Sequence, residues 1–439
     1  MKKLIIYISL LMLVAPMLKS QVLPVVAPKQ KAAIMLTGAT IHFGNGEIME
    51  DGIITFDNGK ITAIAQDINN PIMQQSHVEF DVRGKHIYPG LIMTYSNLGL
   101  SEIGSIDVTQ DSRELGSINP GVRTLVAYNT DSHAIPVVRS NGVLLAQVVP
   151  TGGMLSGTST VMQLDAWNWE DAAYAADNGV HLSWPRMTAR TGRRGAFEMF
   201  TGGGQTSTFD DSFKELAKLF TDAAAYAELE SVKKVNLRLE AIKGLFTGEQ
   251  TLFILTSDVQ GILASIHFAE ERGVKKIVLV NADEGAWMVK DMLKEHNIPI
   301  ILATVQAMPK YEHSDTRLPF KLAKMFMDEG ITVGISIASG STGYNLPFAA
   351  GQAVGYGLTR EEALQMISLN NARILGIDDR TGSLEVGKDA NIIVSNGDIL
   401  DMMTNDVVQA FIQGRNIDLD NKHKMLYRRF QEKYKANNE

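Results

Sequence analysis

Short apolar runs alternate with helix-period segments through the middle of the chain, and this alternation limits the fold more than any other feature. Residues 87–95, 143–150, 252–257, 276–281, 298–303 and 332–339 read as buried strands. Amphipathic stretches such as 213–245, 259–272 and 285–296 lie between several of them. Parallel strands need long crossovers, which helices supply, so the pattern predicts a parallel sheet, closed as a barrel or open and doubly wound. Thr359 and Glu362 predict a capping box that opens a helix over 360–368. The two ends of the chain read differently. Residues 34–87 are short β segments punctuated by Gly44-Asn45-Gly46, Asp51-Gly52 and Asp57-Asn58-Gly59, residue types that tolerate positive φ in hairpin turns. A similar β-rich stretch returns at 383–415, with turns at Asn396-Gly397 and Gln413-Gly414. Domain termini often lie close together, so the expectation is one small β-sandwich composed of 31–87 and 383–415. It would sit beside a central unit, 88–382, and be followed by a helical tail, 416–439.

Of the 439 residues 45% are hydrophobic and 21% charged, the balance of a folded, water-soluble protein. Lys and Arg number 41 against 49 Asp and Glu, a net charge of −8. No nucleic-acid partner is expected, because phosphate binding needs a basic surplus. Cysteine is absent, which excludes disulfides, iron–sulfur clusters, thiolate zinc sites and a cysteine nucleophile. Lys2 and Lys3, the uncharged run 4–15 and Ser20 before Gln21 have the layout of a secretory signal peptide over 1–20. The run is shorter than the ~20 residues of a spanning helix. An uncleaved anchor is the alternative, since Leu18 stands where a smaller side chain is usual. The expected mature chain is exported, periplasmic or secreted, with no membrane span; losing Lys2, Lys3 and Lys19 takes its net charge from −8 to −11. In the tail, Leu426, Phe430 and Tyr434 recur at four-residue spacing among six Lys or Arg. That spacing predicts a docked amphipathic helix with a solvated basic face. Trp167 and Trp169 lie in an acidic, aromatic segment whose expected role is core packing, with a partner surface as the alternative.

Several motifs dissolve on inspection. Residues 382–389 nearly spell a phosphate-binding loop, but Asp389 stands where Ser or Thr must hold magnesium, and 392–394 continues as a strand. No G-x-S-x-G elbow is present, and no two of the nine histidines have H-x-H or H-E-x-x-H spacing. His133, His181 and the other histidines read as structural.

Other residues carry a family resemblance. Tyr88-Pro89-Gly90-Leu91-Ile92 opens the central unit, Asn371-Ala372-Arg373-Ile374-Leu375-Gly376 comes near its end, and Gly382-Ser383-Leu384-Glu385-Val386-Gly387-Lys388-Asp389-Ala390-Asn391 leads into the final strands. Asn345-Leu346-Pro347-Phe348 and the stretch 358–364 agree. With these motifs the chain resembles the amidohydrolase superfamily, near the imidazolonepropionase-like metal-dependent hydrolases, over nearly all of its mature length. The resemblance implies an α/β fold: a (β/α)₈-type (TIM-like) barrel plus a small β-sandwich made from both chain ends. It also implies one or two divalent metals at the carboxyl mouth of the barrel, where a bound water loses a proton and attacks an amide carbon. The family's ligands are a His-x-His pair after the first strand, two later histidines, and an aspartate after the last strand that serves as base.

At each of these positions the chain departs. The P-G-L-I-D-x-H-x-H pattern runs from Pro89 to Asn97 with Tyr95 and Asn97 in place of both histidines. The later histidines fall at Ser257 (or Leu255) and Asn281, and the aspartate at Ala338. Such side chains make a poor zinc site, so no metal or other cofactor and no catalytic residue is expected. Asp258, Asp283, Glu284, His313 and Asp315 lie near strand ends and could serve as substitute ligands; solvated loop charges are the plainer reading. Tyr95, Asn97, Ser257, Asn281 and Ala338 remain as candidate binding residues for a small polar ligand. The leading expectation is a noncatalytic or impaired member acting as a partner subunit, with an active relative or a second copy as its partner. The alternatives are a working hydrolase of C–N bonds in cyclic amides or peptide-like substrates, and a binding module for a small polar ligand.

Overall fold

A computed structural model describes residues 26–66, 78–185, 205–302 and 306–436; the leader expected over 1–20 lies outside them. The strands form two sheets. The first takes β1 (Ile34–His42), β2 (Ile48–Asp57), β3 (Lys60–Ala65), β4 (Val78–Asp81) and β5 (His86–Pro89) from the start of the chain. It takes β14 (Ile392–Ser395), β15 (Val407–Ile412) and β16 (Arg415–Asn416) from its end. Their order is β16-β15-β14-β5-β1-β2-β3, with β4 also on β1, so the two ends meet where β14 pairs with β5. Leu36, Ile41, Ile54, Phe56, Ile87, Ile392, Val394 and Phe411 pack together as its core.

The second sheet runs β6 (Leu91–Ser96), β7 (Val143–Val148), β8 (Leu155–Gln163), β9 (Ala173–Ser183), β10 (Thr251–Leu255), β11 (Ile277–Ala282), β12 (Ile300–Leu302) and β13 (Val333–Ile335). It is a nearly closed barrel. Between β6 and β13 a bridge at Thr94 and Ser336 draws the seam together, and the Ser336 hydroxyl donates to the Thr94 carbonyl at 2.6 Å. Lower in the seam the Asn371 amide donates to the carbonyls of Ile92 (2.7 Å) and Ile335 (3.3 Å), satisfying backbone acceptors where β6 and β13 form no ladder. Side chains alternate along the strands as period two requires. Ile92, Leu145, Val161, Phe253, Val278, Val280 and Ile301 form one cluster, while Leu91, Met93, Leu144, Ala146 and Leu279 belong to a larger one that includes residues of the surrounding helices.

The apolar run 87–95 is divided between the two sheets. β5 ends at Pro89 and β6 begins at Leu91, so Gly90 is the crossing point. A Cβ there would lie 2.7 Å from Leu144 Cδ1, which leaves glycine as the residue that fits. The barrel also departs from strict β/α alternation. β8 pairs antiparallel with both β7 and β9, forming a long hairpin the alternation pattern did not suggest. The capping box is present: the Thr359 hydroxyl accepts from Glu362 N–H and the Glu362 carboxylate accepts from Thr359 N–H at the start of Arg360–Met366.

Two packing expectations fail in part. Trp169 packs against the core, but Trp167 is 67% exposed. The tail is a helix, Lys422–Ala436, yet Phe430 and Tyr434 stand open to solvent while Met425 and Leu426 are half-buried. Asn421 ties the start of the helix to the Ser140 hydroxyl at 3.0 Å, and from there the helix leaves the body of the protein. Among the described residues no helix is long and apolar enough to cross a membrane.

Candidate functional site

In a barrel of mainly parallel strands the carboxyl ends of the strands and the loops after them form the reactive face, and the residues singled out in the sequence fall there. They separate into groups. At the seam, Asn97 N–H donates to the Ala338 carbonyl (3.1 Å) and the side-chain amide oxygen Oδ1 of Asn97 accepts from Gly340 N–H (2.8 Å). Asn97 thus latches the end of the first strand to the end of the last. Ala338 presents only a methyl group, and its residue is exposed.

Tyr95 lies at a β-bulge. Met93 pairs with Ala146 and Ser96 with Val148, so β6 carries one residue more than β7 between those pairs. Tyr95 takes the extra position with φ +49°, a strained conformation for a bulky side chain, and its N–H donates to Gln147 Oε1 at 3.1 Å. Its ring packs with the barrel's inner cluster, 5.6 Å from the ring of His181. Burial pushes the Tyr95 phenol up to about 12, so it stays a neutral hydroxyl at any ordinary pH. His181 stacks on Phe253 at 5.0 Å, is 2% exposed, and has no hydrogen-bond partner on either ring nitrogen within the described chain. Burial holds its imidazole down at about 3. Tyr95, His181 and Phe253 therefore plug the inside of the barrel with neutral aromatic rings.

Elsewhere on this face, Ser257 and Asp283 are joined by a residue that no motif singled out. Lys310, on the loop after β12, donates its ammonium to the Ser257 carbonyl and lies 3.1 Å from Asp283 Oδ2. Its backbone N–H donates to Glu284 Oε1 at 2.9 Å. Burial raises the Asp283 carboxyl above its ordinary value, against the lowering effect of the Gly285 N–H and Lys310. Asn281 has φ +61° and is exposed. With Asp283, Glu284, Met308 and Lys310 it lines a cavity of about 280 Å³.

The substitute ligands are already engaged. Asp258 caps the helix Val259–Glu271 by accepting from Gly261 N–H (2.8 Å), and Asp283 accepts from Gly285 N–H (2.8 Å). Glu284 is buried and takes the Ser314 hydroxyl, Asp315 pairs with Lys321, and His313 stacks on Tyr311. Among the described residues no group of three or more His, Asp or Glu is arranged to hold a metal ion. The donors that remain at the family positions are a phenol, two amides, a hydroxyl and a methyl group, with an ammonium ion among them. This set does not fit a catalytic zinc, which takes about three basic N or O ligands and leaves one position open for water. Lys310 escaped the sequence reading because nothing near it in the chain forms a motif; only the fold of the loop 306–317 brings it to the strand ends. His181 carried a weak signal, a histidine inside a strand pattern, and it alternates onto the barrel's inner face.

The fold and this face define the architecture of the metal-dependent amide hydrolases, a barrel carrying a sheet built from both ends of the chain. The amidohydrolase family pattern matches residues 154–417, and the chain belongs to that family. An imidazolonepropionase of Thermoplasma volcanium is 38% identical over 394 residues, 84% of this chain and 90% of that protein. Another, of Syntrophobacter fumaroxidans, is 30% identical over 184 residues, 41% of this chain, which spans about two fifths (40%) of that relative's length. A solved amidohydrolase structure from Thermotoga maritima superimposes with a TM-score of 0.74 at 22% identity, covering 88% of this chain and 99% of that one, a likeness of fold. The chain is thus an imidazolonepropionase-like member of the family.

Proposed function

We propose that this protein is an exported, noncatalytic member of the amidohydrolase family that acts as a partner subunit, with an active relative as its partner. The observation that carries the reading is the Lys310 ammonium held between Ser257 and Asp283 at the strand ends. Asp283 is spent on Lys310 and on the Gly285 N–H, so neither member of the pair is offered to a divalent metal. With Tyr95 turned into the barrel and Asn97 bound to Gly340, no group among the described residues stands ready to make hydroxide at neutral pH. The test is hydrolysis of a panel of cyclic amides and dipeptides by the purified chain with added zinc or manganese. The expected result is no turnover above a heat-denatured control. Metal-dependent turnover that survives repurification and disappears with chelator would contradict the proposal.

A second reading has its own observation in the 280 Å³ cavity beside Asn281, Asp283 and Lys310. Its size and mixed lining suit a small polar ligand, held by the amide of Asn281 and the Asp283–Lys310 pair. Such a ligand stabilises only the folded state, so it raises the melting temperature without turnover, and Asn281→Ala removes the rise.

A further inference from the structure

Two unpartnered surfaces of opposite charge stand at opposite ends of the barrel. The first is the C-terminal helix. Tyr427, Phe430 and Tyr434 are 64%, 51% and 61% exposed. At about 100° per residue they fall with Leu426 within an arc of roughly 100°. Arg429 and Lys433 border that arc on one side, and Lys424, Arg428 and Lys435 on the other. The helix carries six basic residues and one acidic, Glu432, leaving 35 basic against 48 acidic in the rest of the chain, a net −13. The second surface is the loop after β6. Ile103, Ile106, Val108 and Leu115 are 50%, 43%, 89% and 89% exposed, among Glu102, Asp107, Asp111 and Glu114 and with one basic residue, Arg113, between 101 and 117. This loop is a built structure. Thr109 Oγ1 lies within reach of the carbonyls of Ile103 (3.0 Å) and Ile106 (2.9 Å), donating its one proton between them, and accepts from Ile103 N–H at 3.1 Å; Gln110 donates to the Gly104 carbonyl at 2.7 Å, and Asp111 N–H donates to the Leu100 carbonyl at 2.7 Å. Its aliphatic side chains are held outward by that framework.

The two surfaces do not meet within one chain. The loop leaves the carboxyl end of β6, whereas Asn421 fastens the helix to Ser140, just before β7 begins at the other end of the barrel. We propose that the helix Lys422–Ala436 docks on the 101–117 loop of a second copy of this chain, and that the two copies exchange helices about a two-fold axis. Apolar area and charge complement each other on both sides, aromatic and basic against aliphatic and acidic. A single helix contact is small beside the roughly 1,200–2,000 Å² of a stable interface, and the two-fold arrangement doubles it. This inference does not depend on the absence of catalysis.

The experiment measures the mass in solution of the full exported chain and of two charge-reversed variants. One is Lys424→Glu, Arg429→Glu, Lys433→Glu and Lys435→Glu on the helix, which takes its net charge from +5 to −3, and the other is Asp107→Lys, Asp111→Lys and Glu114→Lys on the loop, which takes 101–117 from −3 to +3. All seven side chains belong to exposed residues, so the variants should fold, and far-ultraviolet dichroism checks that they do. The expected wild-type mass is twice that of the chain, falling towards one chain as salt is raised. Each variant alone should be monomeric, because its own helix and loop then carry the same sign. Mixed in equal amounts, the two variants should form a heterodimer of twice the chain mass, since both exchanged contacts regain opposite charges. A monomeric wild type at low salt would overturn the proposal, and so would variants that stay dimeric or fail to pair on mixing. Helix-dependent binding of a monomeric wild type to phosphatidylglycerol vesicles, absent with phosphatidylcholine, would overturn it in favour of a lipid surface.

Discussion

The mouth of the barrel and the junction between the two sheets handle charge in opposite ways. At the junction, buried carboxylates are fully paired. Asp389 is 4% exposed and holds Lys60 at 2.5 Å, the Tyr174 hydroxyl at 2.6 Å, Arg380 and Gln413. Asp165 holds Arg139 and Arg415, each at 2.8 Å, and accepts from Ala27 N–H at 3.0 Å. These residues belong to both chain ends and to the barrel, so the ion pairs bind the sheet to the barrel. At the mouth, where the family would gather anions and imidazoles around a metal, there are amides, a phenol and one Lys–Asp pair. The family's motif near Asp389 has kept a structural task, while the positions for chemistry have changed.

Removing Asp389 should produce the largest change. Asp389→Ala leaves the buried Tyr174 hydroxyl and the Gln413 amide without their acceptor, and a buried polar group left unsatisfied costs about 1–3 kcal/mol, while Lys60 and Arg380, 49% and 37% exposed, lose a partner but keep water. Chemical denaturation should show that loss in one transition, with β3 and β9 opening together in hydrogen exchange. Burial pushes the Asp389 carboxyl up, but Lys60, Tyr174 and Gln413 outweigh it, so the folded value lies below the ordinary one. Its contribution is therefore full above about pH 4, the unfolded value, and is lost as pH falls through the lower folded value. A small change would show that the junction is not where the charge is needed.

His181 gives an intermediate effect of opposite sign. With its folded value at about 3, the imidazole remains neutral in the protein and protonates in the unfolded chain below about pH 6.5. The unfolded state then binds more protons, so stability falls as pH drops from about 6.5 towards 3. From this group alone the loss should reach about 2 kcal/mol by pH 5. His181→Phe keeps the stack on Phe253, removes two unpaired nitrogens, and should stabilise the fold by about 1–3 kcal/mol at pH 7.5. The gain in melting temperature should be greater at pH 5 than at pH 7.5. A gain that is equal at both values would mean that the imidazole is not held neutral by burial.

Lys310→Met should matter least. The side chains of Lys310 and Asp283 are about one-third exposed, at 30% and 31%, and a pair that solvent reaches contributes about 0–1 kcal/mol. Thermal unfolding should shift by a degree or two, and a loss as great as that of Asp389→Ala would erase the contrast between the two regions.

Much of the fold was legible because its causes are local. Alternating apolar runs, the Asn-Gly and Asp-Gly turns and the Thr359–Glu362 box act within a few residues of one another. The pairing of β14 with β5 followed from two β-rich ends that need a common partner. The hairpin of β8 and β9 stayed hidden because an apolar run does not record the direction of its neighbours. The site was legible by position only. Tyr95 is turned by a bulge set by the pairing of β6 with β7, and Lys310 reaches Ser257 and Asp283 through a tertiary loop. The open stripe of the tail helix escaped for a similar reason: four-residue spacing shows that a helix has an apolar face, and says nothing about what covers it.

The central claim is that the barrel mouth holds neutral groups and a Lys–Asp pair in place of a metal site. The most direct test is the metal content of the purified full chain, with anomalous diffraction used to place any ion found. The account predicts zinc, manganese and iron well below one per chain, no anomalous peak near Tyr95, Asn97, Ser257 or Asn281, and a melting temperature that chelator leaves unchanged. One metal per chain, located among those residues and lost together with several degrees of melting temperature on chelation, would contradict it.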